Sequence, residues 1–107
     1  MTYDLTSLAR RDGLNVNLIV SSAVLDYLMA DGDETHHWKC TLRAVFGAIE
    51  ARDAEGNGTA LVTLSGVPAS IRVFIALSKL EDGIKAVVCS TTEMLRHASP
   101  AGLATTV

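Results

Sequence analysis

Three neighbouring side chains, His36, His37 and Cys40, are of types that bind metal ions. His36 and Cys40 stand four apart and share one side of a helix, whereas His37 points elsewhere. A zinc site needs three or four ligands. Cys89 and His97 complete one only if the fold carries them to the same place. The expectation is therefore solvated or capping histidines, with no metal and no cofactor.

Cys89 has a second chemistry open to it. It stands where a strand enters a helix opened by the capping box Ser90-Thr91-Thr92-Glu93, and a helix N-terminus lowers a thiol's pKa. A phosphate cradle of the Cys-x5-Arg kind requires arginine where Leu95 stands, and Arg96 falls one residue late. Ser90-Thr91-Thr92 also lacks the glycines that let amides wrap a phosphate. A strand cysteine acting as a small hydrophobe is the plainer reading. After the central helix, Asp53, Glu55, Asn57 and Gly58 imitate the first half of a calcium loop. Leu64 replaces the bidentate glutamate, so the residues read as a helix stop and a turn. No nucleophile elbow, phosphate-binding glycine loop or dinucleotide fingerprint is present.

The elements that must position these residues follow from the hydrophobic periods. At 107 residues, with 49% hydrophobic and 20% charged side chains, the chain has the size and composition of a single globular domain, 1–107. Asp4 can cap a short helix that ends at Gly13. Residues 14–30 fit either a strand followed by a short helix from Ser22, or one buried helix. The clearest element is an amphipathic helix over 34–52, with Trp38, Leu42, Val45, Phe46 and Ile49 as its core face. From Thr59 the period becomes two. Short turns at 66–70 and 81–83 predict a three-stranded antiparallel meander over about 59–89. A last helix is expected over about 91–97, and the tail 98–107 is expected to fray. The class is α+β.

Surface composition narrows the function. Net charge is −3, and the basic residues form no run beyond Arg10-Arg11. A phosphate-binding stripe is missing, so direct nucleic-acid binding is not expected. No apolar segment has the length of a membrane span. The start, Met-Thr-Tyr-Asp, lacks the features of a secretory signal, so a cytoplasmic location with reduced thiols is expected. Opposite the expected core face of the central helix lie Cys40, Ala44, Gly47 and Ala51, a row small enough to admit another backbone. That neighbour is either part of the same chain or a second copy in a homodimer. In the meander, Ile71, Val73, Ile75 and Leu77 alternate with Arg72, Phe74 and Ala76. An outward Phe74 beside Arg72 has the composition of an interface. Acidic turns, with Asp31, Asp33 and Glu34 foremost, suit a basic protein partner. Together these features point to a small non-catalytic interaction domain of inhibitor, immunity or adaptor type. The alternative is a small enzyme or ligand-binding domain, using Cys89, His97 and Arg72 around a pocket between sheet and helices.

Overall fold

A computed structural model describes residues 2–32, 34–65 and 70–92 of the chain. The elements in order are β1 (Thr2–Asp4), α1 (Thr6–Arg11), β2 (Asn17–Ser21), α2 (Ser22–Met29), a 3-10 turn (Ala30–Gly32), α3 (Glu34–Glu50), β3 (Gly58–Ser65), β4 (Ser70–Leu80) and β5 (Gly83–Ser90). The class is α+β as expected, but the sheet is larger than the meander. Five strands lie in the order β1-β2-β5-β4-β3. β3, β4 and β5 pair antiparallel in sequence order. β2 then runs parallel to β5, and β1 antiparallel to β2. The meander is therefore one side of a mixed sheet, with its last strand in the centre.

Residues 14–30 resolve into a strand and a short helix that meet at Ser21 and Ser22. Leu18 and Val20 alternate toward the core, and both are fully buried. Those two side chains carry the β-strand period that the helical stripe of leucines obscured. In front of α1, Asp4 belongs to a strand and also turns the chain. Its Oδ1 accepts hydrogen bonds from the Thr6 backbone N–H at 2.9 Å and from the Thr6 hydroxyl. α1 ends with the chain turning through Gly13 at φ +91°. The helix expected over 91–97 lies outside the described residues beyond Thr92, as does the tail 98–107.

α3 is shorter than expected at its C-terminus and is turned about its own axis. Its buried residues are His37, Thr41, Val45 and Ala48. Phe46, expected in the core, is 53% exposed. Trp38, Leu42 and Ile49 are half-buried on one flank. The helix buries its smaller side chains against the sheet, so that its backbone lies close to β3 and β4. Thr41 fits such a face because its hydroxyl donates to the His37 carbonyl at 2.9 Å, leaving only its methyl to pack. The sheet supplies Leu18, Val20, Val73, Ile75, Leu77, Ala86 and Val88 to the same core. α2 adds Val24, Tyr27 and Leu28.

Candidate interaction surface

The strand period that buries Val20, Val88 and Ile75 on the helical side must turn their neighbours to the other. One row across all five strands on that outer side is Asp4, Ile19, Val87, Ala76 and Thr59, each the register partner of the next. A second row joins Cys89, Phe74 and Leu61. Ile19, Val87, Ala76, Cys89 and Phe74 are half-buried, and Leu61 is 52% exposed. α2 and α3 both pack on the opposite face, and α1 borders this one only at its β1–β2 end, where Arg10 reaches Asn17 Oδ1 at 3.4 Å. Arg72, paired with Thr63, and Lys85, paired with Asn17, lie at its two ends, and both are exposed. Arg72 and Phe74 therefore share one face. Leu61, Ile19 and Val87 enlarge it.

The other residues singled out in the sequence fall elsewhere. Cys40 and Ala44 line a shallow groove of about 330 Å³ between α3 and β3, with Arg43, Val62 and Leu64. Cys40 Sγ lies 3.7 Å from the Ser65 carbonyl and 3.7 Å from His36 Nε2. Gly47 and Ala51 are exposed on the same flank. Glu34 is exposed in the first turn of α3, Asp31 lies in the 3-10 turn, and Asp33 lies outside the described residues. Among the described residues, Glu34 is not joined to the sheet rows by a hydrogen bond or ion pair.

The histidines separate as their spacing implies. His36 is exposed beside Cys40, while His37 is buried at 1% exposure and stacks on Tyr27, ring centroids 4.5 Å apart. Among the described residues, neither ring nitrogen of His37 nor the Tyr27 hydroxyl has a hydrogen-bond partner. Burial pushes the Tyr27 phenol up, and the nearby Cys40 adds to the shift. Among the described residues no group of three His, Cys, Asp or Glu side chains converges. Cys89 and Arg72 open onto the outer sheet face rather than into a pocket between layers, and His97 lies outside the described residues.

One cleft does lie among the helices. Leu5, Leu8, Leu25, Leu28, Met29 and Trp38 line a space of about 280 Å³, with Arg11 and Glu34 among its polar residues. Among the described residues that line it, Thr35 carries the one hydroxyl, and there is no cysteine, serine or histidine. Beside it, the Trp38 indole N–H donates to Asp12 Oδ2, and Arg11 pairs with the same carboxylate at 3.2 Å. These two donors, the indole first, hold the Asp12 carboxyl below the usual carboxylate range. The loop that imitates calcium ligands is likewise satisfied from within. Asp53 Oδ1 accepts from the backbone N–H groups of Glu55 and Asn57 at 3.0 and 2.9 Å, and Asn57 Oδ1 accepts from the Lys79 N–H at 3.1 Å. No family model, curated protein or solved structure matches this chain.

Proposed function

We propose that the chain is a non-catalytic protein-interaction domain of inhibitor, immunity or adaptor type, and that its partner seats on the outer face of the sheet. The observation that supports this is the composition of that face. A sheet with one face in water ordinarily alternates apolar inward and polar outward. Here the outward positions of the central strands are Ile19, Val87, Cys89, Phe74 and Ala76, with Leu61 beside them. A half-buried aromatic among aliphatic side chains, with cations at the margins, matches the core and rim of an interface. The exposed acids of the turns, Glu55, Glu81 and Asp82, favour a partner with basic surroundings by steering its approach. Neither Cys40 nor Cys89 is in a disulfide, which suits a reducing cytoplasm.

Co-purification from the native host tests this reading when the wild type is run beside Phe74→Ser and Leu61→Ser. The expected result is a protein captured by the wild type and lost from both variants, while their far-UV circular dichroism stays unchanged. Capture that survives both substitutions, or the absence of any captured protein, removes the outer face as the binding surface.

A further inference from the structure

The two edges of the sheet are unlike. β1 is three residues long and carries Asp4. β3 is eight residues long, and its sequence, Gly-Thr-Ala-Leu-Val-Thr-Leu-Ser, contains no charge and no proline. Every second residue of such a strand turns its N–H and C=O away from the sheet. Proteins that must keep an edge unpaired shorten it, bulge it or charge it. β3 pairs with β4 without a break over eight consecutive residues from Gly58 to Ser65, so no bulge interrupts it. It lacks each of these protections.

The helix beside this edge has its own unexplained feature. Gly47 sits in mid-helix, where glycine costs roughly 1 kcal/mol against alanine. A Cβ built there meets nothing within 4 Å. Among the described residues no contact therefore requires glycine at this position. Its direction around α3 falls between those of Cys40 and Arg43, and both of these line the groove over β3. Gly47 thus belongs to the flank of α3 that overhangs this edge, which no strand among the described residues pairs.

We infer that β3 pairs antiparallel with β3 of a second copy of this chain, about a two-fold axis at Leu61, and that the two α3 helices meet at Gly47. The strand is self-complementary about that axis. Thr59 faces Thr63 of the second copy, and Leu61 faces Leu61, giving like-with-like pairs on the outer side. The helix agrees with the same axis. α3 runs back along β3, with Cys40 over Ser65 at one end and Arg52 3.3 Å from the Cβ position of Gly58 at the other. Interpolation between these two points places Gly47 over Leu61. A two-fold passing there brings Arg43 toward Glu50 of the second copy, and Glu50 toward its Arg43.

Opposite charges therefore meet twice, and the residue that must approach its own copy most closely has no side chain. The strip is about 26 Å long, from eight strand residues, and about 20 Å deep, from two layers. Its projection is roughly 500 Å². The accessible area of a corrugated strip exceeds its projection, so the edge reaches the scale of about 800 Å² per partner that a standard interface buries. The pairing shares Leu61 with the outer face but is made by the backbone edge of β3, and it would join two such faces into one continuous surface.

Sedimentation equilibrium of the full chain tests the pairing. The expected result is a monomer–dimer equilibrium that Arg43→Glu and Glu50→Arg each weaken by about tenfold or more, because each places like charges together at two symmetric contacts. The double variant Arg43→Glu/Glu50→Arg regains the wild-type dissociation constant. Since both positions are exposed, all three variants keep the far-UV spectrum. A chain that stays monomeric up to about 1 mM, the weakest association in the ordinary affinity scale, overturns the inference. So does a dimer that ignores both charge reversals, or one that Phe74→Ser dissociates and they do not. That last outcome transfers self-association to the outer face.

Discussion

At the scale of single residues, the contact between Asp12 and Trp38 ties the end of α1 to the start of α3. Trp38 is the chain's one tryptophan, so the contact has its own spectroscopic signal. The Asp12 carboxyl is held below its ordinary value of 3.8 by the indole N–H and then by Arg11. A carboxylate with a depressed folded pKa stabilises the fold at pH values above its unfolded pKa. That contribution is lost as pH falls through the folded pKa. Acid titration of Trp38 fluorescence should therefore show a transition with its midpoint below 3.8, and Asp12→Asn should abolish it. A midpoint at or above 3.8, or a transition that persists in the variant, would show that the indole does not sense this carboxylate. The pairing joins residues distant in sequence, and neither type nor spacing announces it. Phe74 and Arg72 were legible because strand alternation is local. Their neighbours Ile19 and Val87 were not, because β2 reaches that face through a pairing with β5 far along the chain.

The element whose existence was easiest to read is also the one whose orientation was misread. Periodicity located α3 at once, since a helical stripe of apolar residues is hard to obtain otherwise. The apolar stripe alone sets its phase so that Trp38, Leu42, Val45, Phe46 and Ile49 share the core face. In the structure the small side chains Thr41, Val45 and Ala48 face the sheet and Phe46 is outside. Packing distance decided this: a helix laid closely over two strands has room for small residues beneath it and for large ones only at its flanks. The two placements predict different stabilities. Val45→Ala should lower unfolding free energy by about 2 kcal/mol in urea titration, from two lost methyl groups and the cavity they leave. Phe46→Ser should change it by less than about 0.5 kcal/mol, as at other exposed positions. Equal costs would restore the original phase. β1 escaped notice for a different reason. Three residues cannot display a period, and a strand that short exists because its neighbour offers an edge.

At the scale of the whole molecule, the sheet is assembled from the two ends of the chain. The meander from β3 to β5 rests on short turns, and such turns are visible in sequence. The parallel joint between β2 and β5 rests on pairs such as Asn17 with Lys85 and Val20 with Val88, and no local pattern reports which distant strand will accept a given edge. β5 is the keystone, bonded to β2 on one side and to β4 on the other. A chain ending at Asp82 should therefore fail to fold, with no cooperative transition in thermal circular dichroism. A cooperative melt from that fragment would show that the helices alone hold the two halves together.

That central strand also sets a timetable. In a growing polypeptide, Leu18 and Val20 are made well before Gly83–Ser90, the strand that will cover their backbone. Synthesis at about 5–20 residues per second leaves β2 waiting on the order of ten seconds for β5. During that interval the amino-terminal strands present bare hydrogen-bonding edges and two large aliphatic side chains to the ribosome's surroundings. The short, acid-bearing β1, folded back on β2 by a local turn through α1, is available from the outset to shield one of those edges until the other is closed.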